Sequence, residues 1–366
     1  MRILDEKLIA DKEFLERTLN PGILRDRIYN GMNFSQTLPD YRDPVQVAYY
    51  MMKYGKYYAM EYYWIYDLTL RVLSDSQTET CAITYSFGCG SMIDGVSLCY
   101  AHKRLLNLYT VYQLKKKLYY RGIDQVRWAD EGMLDGGLIR AYDDQSLDLK
   151  GFLDTGMIDF WDVHKSFSAN IISFPKMLSE DLDDQQNGPS IIDQFCERLR
   201  EAELNRPYIV LCVSYRGSLT FDEDNRVASR IIRAMEEKGF VKAPFAMDDY
   251  HDWISYDYFE LVDRENMVFQ SKADVRVDYA NLFCDFEVPY EVKRYMERGE
   301  ILIHNCEGNI TAEMVNNYDR VSQICADCFR NCKLLSNPRK NINIQKSDGR
   351  VDRTCFQVLP FRRSIQ

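Results

Sequence analysis

Residues 84–95, TYSFGCGSMIDG, place Gly88 and Gly90 between a short β-branched run and a segment with helical spacing. A strand feeding a helix through such a turn presents backbone N–H groups at the helix start, and glycine lets a ligand approach that backbone closely. The chemistry this suits is capture of a nucleotide-like ligand. A dinucleotide fingerprint, G-x-G-x-x-G, needs a third glycine where this chain has Ile93, with the next only at Gly95, so a pyrophosphate is held less well. Nicotinamide-dependent redox chemistry is therefore a minor reading.

A second grouping, CADCFRNC, sets Cys325, Cys328 and Cys332 close together with His304 and Cys306 upstream, residue types that suit zinc or an iron–sulfur cluster. On one continuous helix Cys325 and Cys332 stand about 10 Å apart along the axis, whereas sulfurs sharing one zinc lie within roughly 4 Å. The same cysteines continue a stripe of Met314, Tyr318, Val321, Cys325, Cys328, Cys332 and Leu335 at alternating spacings of four and three, which a buried seam explains without metal. The seam is the preferred reading, the metal alternative stays open, and no metal ligand is assigned. There is no H-E-x-x-H, no P-loop and no G-x-S-x-G elbow, and the histidines at 102, 164, 251 and 304 form no ligand pair, so hydrolase chemistry lacks support.

Several elements must position the glycine turn. Residues 1–78 read as a helical N-terminal cap, strongest in PVQVAYYMMKYGKYYAMEYYWIYDLTLRVL, where eight tyrosines fall between Tyr49 and Tyr66. An aromatic packing face explains them; stacking on an adenine or a substrate base is the functional alternative. Residues 79–245 alternate short apolar runs with helical segments: CAITYSF, KLYYRGID ending in Asp124, ANIISF and RPYIVLCVSY as strands, PSIIDQFCERLREAEL and EDNRVASRIIRAMEEKGF as helices, the latter closed by Gly239. A weak strand is expected in DTGMIDFW. This alternation is the mark of an α/β core with a mostly parallel sheet covered on both faces. Residues 246–340 break the pattern and read as an insertion containing a long cysteine-bearing helix from Thr311. Residues 341–366 form two β-like runs around Asp348-Gly349, a C-terminal hairpin returning to the core.

A chain of 366 residues with 46% hydrophobic and 13% aromatic content folds around a large core. The first residues, MRILDEKLIADKEF, lack a signal-peptide apolar run, and no segment approaches the roughly 20 apolar residues of a membrane span. A cytoplasmic protein with reduced thiols is expected from this and from an odd count of 11 cysteines. The N-x-S/T matches at Asn33 and Asn309 then carry no glycosylation. A net charge of −10 disfavours duplex DNA as a partner, and no membrane partner is expected. From Arg320 onward ten Lys/Arg face three Asp/Glu, so a basic C-terminal region leaves RNA open.

The turn and its surroundings resemble the class I S-adenosylmethionine-dependent methyltransferases. SFGCGS is similar to their first motif, which touches the amino-acid part of the cofactor. Asp124 stands where their ribose-binding acid stands, and NIISFPKMLSE where their fourth motif lies, beside the transferred methyl. The resemblance covers roughly residues 80–245 plus the closing segment. More narrowly, KYGKYYAMEYYWIY with SFGCGSMIDGVSL and GIDQVRW resembles a bacterial subgroup of this fold with no settled substrate. It implies a Rossmann-like methyltransferase with S-adenosylmethionine as cofactor, bound through Ser86, Gly88, Cys89, Gly90 and Asp124. Phe174 and Pro175 would form the wall that aligns a methyl acceptor, and Lys176 would orient it. Asp159, Asp162 and His164 are weaker candidates for taking a proton. Two departures stand out: Met92 replaces a frequent third glycine and narrows the space above the turn, and SFPK replaces the Asp/Asn-Pro-Pro-aromatic form of amino-methylating DNA enzymes. The acceptor is a small molecule, a protein or RNA; the alternative is a catalytically inactive fold of this type that binds RNA, protein or a nucleotide.

Overall fold

The computed structural model describes residues 40–108, 112–115, 117–128, 147–163, 167–178, 190–215, 221–243, 259–271 and 355–364, with residues 7, 10–11, 14, 17–18, 276–278, 300–304, 310–314, 339–341, 344–345 and 351–352. Two compact units are present, Met1–Tyr57 with Arg276–Asn341, and Tyr58–Val275 with Ile342–Gln366.

Helix α1, Pro44–Asp75, starts where the sequence supplies both a cap and a preset dihedral. Asp43 Oδ1 accepts the Val45 N–H at 2.9 Å, and Pro44 occupies the first helical position, where its missing N–H costs nothing. The helix carries few turn residues over its length, and residues 61–74 are buried on every face, with the charges among them partnered, as Arg71 is by Asp67 at 2.9 Å.

The second unit is built on a nine-stranded sheet. Its parallel half consists of β1 (Ala82–Phe87), β2 (Leu118–Asp124), β3 (Leu147–Leu153), β4 (Ile171–Pro175) and β5 (Tyr208–Tyr215). Between them run α2 (Ile93–Leu108), α3 (Met157–Val163) and α4 (Ile191–Glu201). After β5 come α5 (Phe221–Glu237), β6 (Phe240–Lys242), and the antiparallel pair β7 (Phe259–Asp263) and β8 (Val268–Ser271). Short strands β9 (Arg276–Asp278), β10 (Glu300–His304), β11 (Ile310–Met314), β12 (Arg339–Asn341), β13 (Ile344–Gln345) and β14 (Val351–Asp352) pair off the main sheet, as β9 with β12, β10 with β11, and β13 with β14. The last strand, β15 (Cys355–Arg363), returns to the main sheet.

The strand order is β3-β2-β1-β4-β5-β15-β8-β7, with β6 also paired to β15. Neighbours from β3 through β5 are parallel and β15 is antiparallel to β5. All eight residues of β5 are buried, as a strand covered on both faces requires. Alternation assigns the faces. Phe87 and Phe174 stack at 5.6 Å and meet Phe195 of α4, while Phe87 also meets Phe160 of α3, so α3 and α4 cover one face. On the other face Ser86, Ser173 and Cys212 sit side by side in register across β1, β4 and β5, under α1. Small side chains at one level let a helix approach the sheet: the Tyr66 hydroxyl bonds Ser173 Oγ at 3.0 Å, and Thr69 Oγ1 lies 3.0 Å from Cys212 Sγ.

The sequence expectations hold for the mostly parallel core and its antiparallel closure and differ in detail. Residues of DTGMIDFW form α3 rather than a strand, because Phe160 and Trp161 at consecutive helical positions reach Phe87 and Phe167, while β3 just before them completes the sheet edge. β7 and β8 lie within the span read as an insertion, yet they extend the main sheet beyond β15. Thr311 and its neighbours, expected to begin a helix, lie in β11 and pair with β10. The remainder of that helix, with Cys325, Cys328 and Cys332, and Cys306, lies outside the described residues. Asp348 and Gly349, expected at the turn of the hairpin, lie outside the described residues; β13 and β14 pair in a ladder of their own, and β15 rejoins the core.

Candidate ligand-binding site

The glycine turn sits at the carboxyl end of β1, next to the point where the strand order reverses between β1 and β4 and where open α/β sheets bind ligands. Gly88 (φ 71°) and Gly90 (φ 53°) take left-handed backbone conformations, and so does Met92 (φ 61°), which stands where a third glycine is frequent in the resembled family. The turn is tied down by its own amides. Gly88 and Cys89 donate to the Ile123 carbonyl at 2.8 and 3.2 Å, Met92 donates to the Cys89 carbonyl at 2.8 Å, and Gly90 donates to Asp124 Oδ2 at 2.8 Å. Asp124 Oδ1 accepts the Val126 N–H at 2.8 Å. The structure thus brings the turn and Asp124 together, but the amides expected to be free for a ligand are bonded within the chain.

Burial pushes the Asp124 carboxyl above its ordinary range, opposed by the Val126 and Gly90 amides and by the Trp128 indole. A carboxylate has about four acceptor sites, so capacity is left beyond these donors.

Two layers of side chains use the space that the glycines leave. Towards the sheet, Cys89 lies over Gly122 and Met92 over Gly151, where an added Cβ would fall 2.9 Å from Cys89 Sγ and 2.8 Å from Met92 Sδ. Met92 therefore points into the core, 1% exposed, and does not narrow the space above the turn. Cys89 is likewise buried, its thiol pushed well above the ordinary range by burial, and only its backbone belongs to the turn. At the turn itself, a Cβ at Gly88 would meet Met177 Cβ at 2.7 Å and Sδ at 3.0 Å, and one at Gly90 would meet Trp128 Cζ2 at 2.9 Å.

Beneath the turn lies a buried polar cluster. Asp94, in the first turn of α2, accepts hydroxyls from Ser86 at 2.6 Å, Tyr120 at 2.8 Å and Tyr66 at 3.0 Å. Desolvation raises its carboxyl above the ordinary value of 3.8, and the three hydroxyls pull the other way. Ser86 is therefore a support for α2, its side chain turned away from the space above the turn.

At the end of β4 the chain makes a second strained turn. Lys176 has φ 57°, a conformation costly for a residue with a Cβ. Its ammonium pairs with Glu61 Oε1 at 2.8 Å, donates to the Tyr215 carbonyl at 2.8 Å and lies 5.0 Å from the Tyr58 ring centroid. Ser214 also donates to Glu61. The lysine expected to orient a substrate is thus engaged by α1. Glu61, at 2% exposure, was visible in sequence only as one of two acids, with Asp67, in a long aromatic segment, with nothing to name its partner.

Phe174, expected in the wall that aligns an acceptor, is fully buried, its ring against Phe87 and Phe195 on the α4 side of the sheet. Pro175 is buried at the strand end. Asp159 and Asp162 are exposed on α3, where Asp162 pairs with Arg198 at 3.1 Å. His164 lies outside the described residues. Among the described residues no group of three or more His, Cys, Asp or Glu is arranged to hold a metal, and no helix is long and apolar enough to cross a membrane.

This sheet order, with its antiparallel return and glycine turn at β1, defines a Rossmann-like fold of the class I methyltransferase type. No family model and no curated protein matches the sequence. Solved structures that match include the plantazolicin methyltransferase BpumL in complex with SAH, 10% identical over 98% of this chain and 99% of that one, TM-score 0.33. They also include a ribosomal protein L11 methylase from Lactobacillus delbrueckii subsp. bulgaricus, 20% identical over 48% and 69%, TM-score 0.25. A third is the CcbJ methyltransferase from Streptomyces caelestis, 11% identical over 82% and 90%, TM-score 0.25.

Proposed function

We propose that the protein is an S-adenosylmethionine-dependent methyltransferase acting on a small molecule, a protein or RNA. The observation that carries the reading is the direct bond between Gly90 of the β1 turn and the carboxylate closing β2, at the sheet's switch point. Asp124 would accept the ribose hydroxyls with its remaining lone pairs, and Gly88 and Gly90 would let the cofactor lie against the backbone once the side chains above them move. The cofactor supplies a methyl on a sulfonium that already carries its leaving group. What remains for the chain is to orient the acceptor and exclude water. Pro175 ends β4, the strand paired with β1, Lys176 follows it, and the Lys176 ammonium meets Tyr58 and Glu61 of α1 at that edge.

Titration calorimetry with S-adenosylmethionine and S-adenosylhomocysteine tests the reading. Binding of both is expected, weakened about tenfold or more by Asp124→Asn through loss of charge-assisted bonds, and abolished by Gly90→Asp. Absence of heat at millimolar ligand would refute it. A second reading, a binding module of this fold without transfer, draws on the engaged amides of the turn; binding of S-adenosylhomocysteine without methyl transfer to any acceptor pool would favour it.

A further inference from the structure

The structure assigns Trp128 and Met177 to the adenosyl site as placeholders: an indole on Gly90 beside Asp124, and a thioether on Gly88, hold the places of an adenosyl-thioether ligand's aromatic, hydroxylated and sulfur-bearing parts. This inference rests on the function proposed above. Trp128 is 5% exposed, its Cζ2 lies 2.9 Å from where a Gly90 Cβ would be, and Gly90 itself donates to the Asp124 carboxylate at 2.8 Å, so the indole sits beside that acid. Met177 brings Sδ to 3.0 Å from the corresponding position on Gly88.

The chemical types match as well as the positions. A flat bicycle with an N–H donor lies by a carboxylate, and a polarizable sulfur lies by the neighbouring glycine. The glycines spare a Cβ, and these two side chains fill the space. A ligand that brings its own aromatic ring, donor hydroxyls and sulfur replaces each contact it displaces, whereas one lacking any of the three leaves Asp124 or a glycine uncovered. Trp128 and Met177 therefore set specificity by competition, and the apparent affinity is reduced by the fraction of chains in which they still occupy the site.

The test is titration of wild type, Trp128→Phe, Trp128→Ala and Met177→Ala with S-adenosylhomocysteine, by calorimetry and by tryptophan emission. Expected are affinities about three- to tenfold tighter in the variants, as the competing state is removed. A ligand-induced red shift is expected in wild type and absent from Trp128→Phe, because the indole leaves its buried place. Trp128→Phe keeps an aromatic ring in the core while removing the indole N–H and part of its bulk, so it serves if the alanine variant fails to fold. Unchanged or weaker binding in the folded variants, or no emission change on wild-type binding, overturns the placeholder role and leaves the cofactor reading standing. If no protein in the series binds, both fall.

Discussion

Lys176→Met probes the buried pair at the end of β4. The ammonium lies 2.8 Å from Glu61, the two side chains being 9% and 1% exposed, so water screens the interaction little. Removing the lysine leaves Glu61 with the Ser214 hydroxyl in place of its cation. Breaking a buried pair by deleting one partner costs about 3–5 kcal/mol, against about 0–1 for a surface pair. At about 2–4 °C per kcal/mol in a domain of this size, the melting temperature should fall by on the order of 10 °C. The double variant Glu61→Gln/Lys176→Met removes both charges while Gln keeps an acceptor for Ser214, and should return to within about 2 kcal/mol of wild type. Urea titrations of the four proteins of this cycle give the coupling. A single-variant cost below about 1 kcal/mol, or costs that simply add, would refute the view that Glu61 is charged and held by Lys176.

Three further outcomes follow from the same geometry. Tyr120→Phe removes one of three hydroxyls on Asp94 and should cost about 1.5–3 kcal/mol in urea unfolding, as expected for a bond to a charged group. Asp94 has a raised folded-state pKa, so the folded chain binds more protons than the unfolded one from 3.8 up to the raised value, and its contribution to stability falls as pH rises through that window; the stability of wild type minus Asp94→Asn should accordingly grow as pH drops from 7 toward 4. Gly88→Ala must place a Cβ at φ 71° and 2.7 Å from Met177 Cβ, and should lower stability by about 1–3 kcal/mol by thermal melting, partly relieved by Met177→Ala.

The strand-turn-helix at residues 82–108 and the acid closing β2 were legible because each is local: an apolar run, glycines at a bend, then helical spacing. β3 was not, since LDLKGFL mixes polar and apolar residues at a half-exposed edge where no strong period survives. The direction of the Phe174 ring was hidden by treating SFPK as a unit. Period-two alternation along β4 puts Ser173 and Pro175 on one face and Phe174 on the other, and that signal was present in the sequence. The Glu61–Lys176 pair and the placement of Trp128 and Met177 over the turn depend on tertiary approach, and no spacing along the chain encodes them. The Met92 side chain is a related case: only the glycine at position 151 of β3 explains where it goes.

The position of β15 has a consequence for biogenesis. It is hydrogen-bonded to β5 on one side and to β6 and β8 on the other, yet residues 216–354 intervene between β5 and it. During translation the parallel half emerges first, with the open flank of β5 unsatisfied while all that intervening polypeptide is still being made. Loss of the segment carrying β15 would thus split the sheet through its interior rather than trim a border, and a nascent chain stalled upstream of it is a natural client for a chaperone.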